Sequence, residues 1–330
     1  MGPAKRNGPG YRELFITMCV PGLILVVFGR LADRIALSHV GMALVSVGIF
    51  FYGKLKGFRR WWHIAWLALV GIYLLLALSE LAHGEVRTET VVYTNGDVRL
   101  EGVLAYDDAT AGPRPGVIVI HEWKGLGPYA VRRAEQLAQL GYLALAADMY
   151  GKGVRAKDHT EAAALSGIYR NDRALMRERI SAALDTLRRH PLADPQRIAA
   201  IGYCFGGTTV LELARSGADV VGVASFHGGL GTPNPDDARN IKGKVLVLTG
   251  GADPNVLPEQ VAAFEGEMKE AGVDYRVIVY EGAVHSFTVP EAGNDPSTGA
   301  AYNAEADQRS WEALREFLQD VFGSSLRHIG

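Results

Sequence analysis

Beyond residue 85 the chain alternates between short apolar runs and longer segments with helical spacing of apolar residues. The first part, TETVVYTNGDVRLEGVLAYD, has alternating stretches on either side of Asn95-Gly96 and predicts a β-hairpin. The run PGVIVI is continuously apolar, which is typical of a strand buried on both faces, and the helical segment YAVRRAEQLAQLG follows it. This alternation continues towards the C-terminus. It predicts an α/β domain over residues 85–330, with a doubly wound, mostly parallel sheet and helices on both faces.

The N-terminal quarter has a different pattern, because it contains three long runs without a charged residue. These runs cover residues 14–29, 35–53 and 61–79. About 20 apolar residues cross a bilayer core, so the second and third runs predict transmembrane helices. The first contains Pro21-Gly22 and predicts a kinked span or a re-entrant segment. Buried helices of a soluble protein are the alternative for all three runs, and a cleaved signal peptide is a further one for the first. We expect residues 1–84 to form a transmembrane anchor with the lipid bilayer as its partner.

Basic residues predict the orientation of this anchor. The loop between the second and third runs carries Lys54, Lys56, Arg59 and Arg60, whereas the segment ELAHGEVR after the third run has one Arg and two Glu. Loops rich in Lys and Arg remain in the cytoplasm. The C-terminal domain is therefore predicted to lie on the extracytoplasmic side of a bacterial inner membrane.

Composition excludes several classes of partner. The chain has 34 Lys and Arg against 36 Asp and Glu, so no global field favours nucleic acid. Two cysteines, Cys19 and Cys204, cannot define a disulfide framework. The histidines and carboxylates lack paired metal-ligand spacing, and no G-x-x-x-x-G-K-[ST] loop is present. The sequence therefore predicts no metal, no cofactor and no nucleic-acid partner.

Chemically reactive side chains are concentrated where the predicted strands end. In open α/β sheets, ligands bind outside the carboxyl ends of the strands. The residues at those ends are His121, Glu122, Trp123, Asp148, Tyr150, Cys204, His227, Asp253 and His285. This concentration favours an enzyme.

Gly202-Tyr203-Cys204-Phe205-Gly206 has the G-x-S-x-G pattern of a nucleophile elbow with cysteine in place of serine. The helix that follows directs its N-terminal N–H groups at the thiol and stabilises a thiolate. The Phe205 N–H is then placed to bind a developing oxyanion. A buried structural cysteine is the alternative, since free cysteine is commonly buried.

A thiol nucleophile needs a base and a group that orients the base. Asp253 and His285 follow consecutive predicted strands, and nucleophile, acid and histidine then occur in the chain order of an α/β hydrolase. Separately, each could be a simple turn or loop residue. His227 could line the pocket, and His121 is expected to pack or to orient the adjacent loop.

Glu122 and Trp123 lie at the mouth of the predicted cleft. The Glu122 carboxylate could hold the resting thiol in its neutral form or take the thiol proton, and a solvated loop charge is the alternative. The Trp123 N–H is the expected second oxyanion donor.

Five motifs, HEWKGL, DMYGKG, GYCFGG, GGADP and VHSF, resemble in order and spacing those of the dienelactone hydrolase family of α/β hydrolases. The resemblance spans about residues 86–325. It implies a Cys204–His285–Asp253 triad, with Glu122 interacting with the resting cysteine and an oxyanion hole formed by the N–H groups of Trp123 and Phe205. Tyr150, Lys152, His227 and Ser286 are the expected substrate-pocket residues.

The sequence departs from this family at two positions. Members that act on dienelactone carry two arginines that bind the substrate carboxylate, one shortly after the D-x-Y element and one four residues after the histidine. Lys152 and Val289 occupy those places here. A lysine is a flexible point charge and valine is apolar, so the pair is not a bidentate clamp. A less acidic or more apolar ester is therefore expected.

Together these features predict a membrane-anchored hydrolase of small esters or lactones that forms a thioester at Cys204. Two alternatives stay open. The domain could be a non-catalytic binding module that retains the pocket, or the chain could be a scaffold subunit of a membrane complex.

Overall fold

In the computed structural model, the described residues are 67–68, 70–71 and 85–323. The predicted spans at 14–29 and 35–53, and nearly all of the one at 61–79, lie outside these residues. Within the described part of the chain, no helix combines the length and the apolar character that a membrane span requires. The described structure belongs mainly to one compact unit, Gly84–Gly330.

The core of this unit is an eight-stranded sheet. Its strands are β1 (Val86–Asn95), β2 (Val98–Asp107), β3 (Arg114–Ile120), β4 (Leu143–Ala147), β5 (Ala193–Tyr203), β6 (Gly222–Phe226), β7 (Lys244–Gly250) and β8 (Tyr275–Tyr280). Their order across the sheet is β1-β2-β4-β3-β5-β6-β7-β8, with β1 and β2 antiparallel to their neighbours and the rest parallel. The predicted hairpin and the mostly parallel sheet are confirmed.

Helices cover both faces of the sheet. They are α1 (Pro128–Gln139), α2 (His159–Asn171), α3 (Arg173–Arg188), α4 (Phe205–Arg215), α5 (Pro258–Ala271) and α6 (Ala304–Phe322). One apolar core contains side chains of α2, α3, α4 and α5, and the other contains those of α1 and α6. The central strands β3, β4 and β6 are buried along their whole length, as their continuous apolar sequences predict. The fold is thus doubly wound.

The strand order reverses direction at β3, because β4 lies on one side of β3 and β5 on the other. Such a switch point leaves a crevice at the carboxyl ends of the two strands. Glu122 follows β3 and Cys204 follows β5, so both lie at this crevice. The topology therefore determines where the chemistry of this domain can occur.

Candidate active site

Cys204 lies in a sharp turn between β5 and α4, with φ 54° and ψ −111°. A Cβ atom on Gly202 would lie 2.0 Å from the Gly206 carbonyl oxygen, and one on Gly206 would lie 2.3 Å from the Ile120 carbonyl oxygen. Only glycine fits at either position. The glycines of the motif thus allow the turn to close against β3 and hold Cys204 at the N-terminus of α4.

His285 contacts both other members of the predicted triad. Its Nδ1 atom lies 2.9 Å from Oδ2 of Asp253, whose Oδ1 accepts a hydrogen bond from the Asn255 amide at 2.8 Å. Burial lowers the pKa of the imidazole, but hydrogen bonds with Asp253 and Cys204 outweigh it and raise the pKa to about 10. The histidine is thereby held as an imidazolium between a carboxylate and the sulfur.

The main chain fixes the position of His285. Its amide donates to the Gly299 carbonyl at 3.2 Å, and its carbonyl accepts from the Ala301 amide at 3.0 Å. The loop after β8 thus folds back across the site. Among the described residues other than glycine, positive φ occurs at Cys204, His227 and Ser286, which all follow strands at this edge of the sheet. Such strain is concentrated at functional sites in proteins.

Two backbone amides are available near the thiol. Phe205 is the first residue of α4, and the first N–H groups of a helix have no partner within the helix. In the described part of the chain, neither its amide nor that of Trp123 donates a hydrogen bond. Both amides are thus free to bind an oxygen that develops negative charge.

Glu122 is hydrogen-bonded to the segment that carries His285. The Ser286 hydroxyl donates to Glu122 Oε1 at 3.2 Å. Burial raises the pKa of the Glu122 carboxyl, although the charge of His285 and the Ser286 hydroxyl act in the opposite direction. Glu122 therefore carries a proton more readily than a solvated glutamate does.

These groups line a cavity of about 950 Å³. Glu122, Trp123, Cys204, His285 and Ser286 are on its wall. Cys204 itself is only 7% exposed, so a substrate must enter the cavity to reach the sulfur. The size is suited to a small organic molecule.

The model of the dienelactone hydrolase family matches residues 100–322, which include the whole site. The chain belongs to the dienelactone hydrolase family. It is accordingly a hydrolase of esters or lactones, with an α/β-hydrolase fold.

Three similar proteins illustrate this membership. A dienelactone hydrolase-like promiscuous phosphotriesterase from metagenomic libraries is 43% identical, with a TM-score of 0.70, over 73% of this chain and 100% of its own. A Yersinia pestis protein named as a carboxymethylenebutenolidase is 27% identical over 73% of this chain and 90% of its own. The dienelactone hydrolase of Anabaena variabilis, at 21% identity and TM-score 0.53 over 73% and 99% of the two chains, shares the fold.

In this family member, three of the expected pocket residues do not line the cavity. Lys152 pairs with Glu101 Oε2 at 2.5 Å on the neighbouring strand β2, which draws it away from the cavity. Tyr150 is buried beneath the site because its hydroxyl donates to the Trp123 carbonyl at 2.9 Å. His227 is fully buried and hydrogen-bonds Thr288 Oγ1 at 2.8 Å, with its ring edge-on to His285 at 5.2 Å. Ser286 does line the cavity.

Two arginines that the sequence reasoning missed do line the cavity of this hydrolase. Arg170 is in the last turn of α2, and Arg173 is the first residue of α3. No carboxylate of the described residues is within ion-pair distance of either, and the buried Nε of Arg173 has no hydrogen-bond partner there. A cation in the first turn of a helix opposes the helix dipole, and this is the signal that could have singled out Arg173.

Proposed function

We propose that this enzyme hydrolyses small esters or lactones through a thioester at Cys204, with His285 and Asp253 completing the triad. The observation that carries the proposal is the position of His285, whose Nδ1 lies 2.9 Å from the Asp253 carboxylate and which shares the wall of the cavity with Cys204. Cysteine hydrolases use the same arrangement of nucleophile, base and orienting group.

In the acylation step, the Cys204 thiolate attacks the ester carbonyl and an S–C bond forms. The carbonyl oxygen takes up the negative charge and is bound by the N–H groups of Phe205 and Trp123. The C–O bond then breaks, and the leaving alkoxide takes the proton of the His285 imidazolium. A thioester and a free alcohol result.

Acylation also prepares the second step. The thiolate contributes to the raised pKa of His285, so its conversion to a thioester lowers that pKa. The neutral imidazole then takes a proton from water, and the hydroxide adds to the thioester carbonyl. The C–S bond breaks, the carboxylic acid leaves, and the thiolate–imidazolium pair is restored.

The two arginines on the cavity wall support a narrower class of ester or lactone substrate. Arg173 is half-buried near other arginines. Burial lowers its pKa and the Glu212 carboxylate acts in the opposite direction, but the charges of Arg215, Arg170 and Arg177 add to the lowering. An anionic group on the substrate would offset this repulsion and accept charge-assisted hydrogen bonds from the guanidinium groups that line the cavity. We therefore propose esters or lactones that carry a carboxylate, in place of the more apolar esters expected from Lys152 and Val289.

The decisive experiment is hydrolysis of a short aryl ester by the full chain and by Cys204→Ala. The proposal requires loss of turnover in that variant and a trapped thioester in the unsubstituted protein. Cys19→Ala is the matched control, because it removes the other thiol and should retain full activity. Unchanged turnover in Cys204→Ala would refute the cysteine mechanism. Absence of turnover in the unsubstituted protein, together with retained ligand binding, would favour a binding module.

We also propose that residues 1–84 anchor the hydrolase in a membrane, with the catalytic domain on the extracytoplasmic side. The support is the three uncharged runs, which lie outside the family match, and the basic loop at 54–60. The full chain should remain in the membrane fraction after an alkaline wash, whereas residues 85–330 should be released with their esterase activity. Loss of activity on this truncation would favour a scaffold role for the anchor. Labelling an engineered surface cysteine from each side of the membrane tests the orientation.

A second activity is favoured by the 43% identity to a promiscuous phosphotriesterase. The same thiolate can attack the phosphorus of a phosphotriester, with the phosphoryl oxygen bound by the two amides, while the P–O bond breaks and the leaving group takes the His285 proton. The neutral imidazole then takes a proton from water, the hydroxide breaks the S–P bond, and the phosphodiester leaves as the thiolate–imidazolium pair is restored. Paraoxon hydrolysis that disappears in Cys204→Ala would support this activity. Its persistence in the variant would exclude the shared site.

A further inference from the structure

Beneath the two oxyanion-hole residues lies a buried imidazole that the mechanism does not use. His121 directly follows β3, is 1% exposed, and packs its ring against that of Phe205 with 5.9 Å between centroids and 16° between planes. Tyr150 packs edge-on to the same imidazole at 4.9 Å. His121 thus lies against Phe205 and directly before the Glu122–Trp123 peptide.

The hydrogen bonds of His121 determine its tautomer. The Met149 amide donates to Nε2 at 3.3 Å, so Nε2 is an acceptor and the proton is on Nδ1. Nδ1 is 2.5 Å from the Glu122 carbonyl oxygen and donates to it. Burial lowers the pKa of His121 to about 4, which keeps the ring neutral at neutral pH.

The Glu122 carbonyl controls the direction of the next amide. In a trans peptide, the C=O of one residue and the N–H of the next point in opposite directions. The Glu122 carbonyl accepts from His121 Nδ1 and from the Gly125 amide at 3.3 Å, and the first bond directs it at an imidazole that is buried and does not line the cavity, whereas Trp123 does line it. The Trp123 N–H is then directed towards the side on which the substrate lies.

We propose that His121 is a positioning residue for the oxyanion hole, which fixes the Trp123 N–H through the Glu122 carbonyl and supports the ring of Phe205 from below. The inference rests on the proposed function, because it assigns the geometry of that site. It predicts that His121 affects only those steps in which an oxyanion forms.

Two substitutions of His121 distinguish the role of its Nδ1 hydrogen bond from that of its Nε2 hydrogen bond. In His121→Asn, the side-chain amide nitrogen replaces Nδ1 and can still donate to the Glu122 carbonyl. In His121→Gln, the longer side chain places its polar group near Nε2 and leaves the Glu122 carbonyl without this donor. We expect His121→Gln to slow acylation by an aryl ester about 10²-fold, the usual effect of losing one oxyanion donor. His121→Asn should recover most of the rate.

Alkylation of Cys204 by iodoacetamide is the control reaction, because displacement at its carbon forms no oxyanion. Its rate should be the same in the unsubstituted protein, His121→Gln and His121→Asn. A parallel fall of alkylation and acylation would assign His121 a merely structural role and overturn the inference, as would an unchanged acylation rate in His121→Gln. Absence of any acylation in the unsubstituted protein would instead refute the proposed function, and the inference with it.

A measurement on the unsubstituted protein keeps the test independent of variant folding. Histidine-selective ¹⁵N NMR should show His121 with a proton on Nδ1 and none on Nε2 at neutral pH. A proton on Nε2 would remove the donor to the Glu122 carbonyl and overturn the inference.

Discussion

Nδ1 of His285 lies 2.9 Å from Oδ2 of Asp253, at the ends of two adjacent strands of the sheet. With the cysteine sulfur on its other side, this contact raises the imidazole pKa from its ordinary 6.5 to about 10. The proposed acid of the acylation step is therefore protonated over the whole neutral range.

The first prediction concerns the alkaline limb of the pH–rate profile, which is the fall in acylation rate at high pH. The leaving ethoxide takes its proton from the His285 imidazolium, so the protonated form of His285 is needed. The rate of acylation by an ethyl ester should therefore fall as the pH rises through about 10. In Asp253→Asn the carboxylate that raises the pKa is absent, so the limb should move to lower pH. A 4-nitrophenyl ester is the control, because its leaving group needs no proton and should show a weaker limb. Equal limbs for the two esters would contradict the assignment of His285 as the acid.

The second prediction concerns the Glu122 charge, which interacts favourably with the His285 imidazolium. This coupling is reciprocal, so Glu122→Gln should lower the pKa of His285 and move the alkaline limb to lower pH. Gln can still accept the hydrogen bond of Ser286, which leaves the contact in place. Glu291→Gln is the matched control, because Glu291 also lines the cavity but is paired with Arg132. If the alkaline limb moved equally in Glu122→Gln and Glu291→Gln, the change in His285 pKa would come from the loss of any negative charge at the cavity and not from Glu122 in particular.

The third prediction concerns the elbow. The Cβ of Gly206→Ala would meet the Ile120 carbonyl oxygen at 2.3 Å, and backbone cannot yield as a flexible side chain does. We expect a loss of about 3 kcal/mol or more in the free energy of unfolding. Gly266→Ala in α5 is the control, because no atom lies within 4 Å of its Cβ. It should gain about 0.5–1 kcal/mol as a helical glycine replaced by alanine. Thermal unfolding of both variants measures the difference, and equal Tm values would contradict the close packing of the elbow.

The fourth prediction concerns the substrate charge. Arg173→Gln and Arg170→Gln should lower kcat/KM for mono-4-nitrophenyl succinate about 10-fold or more, the usual cost of a lost charged hydrogen bond. Hydrolysis of the neutral 4-nitrophenyl pentanoate should be nearly unchanged. Lys152→Gln is the control variant, because Lys152 lies outside the cavity and is paired with Glu101. An equal loss on both esters would refute the proposed anionic substrate class while leaving the triad unaffected.

Much of the scaffold was predictable because its signals are local. Continuous apolar runs indicate buried strands, and the glycines around Cys204 indicate a tight turn whatever surrounds them. Parallel strands bring their carboxyl ends to one edge, so Asp253 and His285 could be placed beside Cys204 from chain order alone. The membrane anchor at residues 1–84 remains a prediction, since its runs lie almost wholly outside the described residues.

The pocket was not predictable in the same way. Lys152 was expected in it, but Glu101 on a neighbouring strand pairs with it. Tyr150 and His227 were expected in it, but each is buried against a hydrogen-bond partner below the surface. Arg170 and Arg173 enter it because the chain turns at Asp172, between two helices that a local pattern cannot orient.

The sequence by itself therefore determined the strands and the elbow, because each depends on the spacing of residues that are close in the chain. It also determined that Cys204, Asp253 and His285 follow parallel strands in this order, because that order is read directly along the chain. Only the tertiary structure decided which charged side chains line the cavity, that Ser286 binds Glu122, and that His121 packs against Phe205 and binds the Glu122 carbonyl. Those contacts join residues whose side-chain directions depend on how separate elements pack, and long-range packing has no local pattern in the sequence.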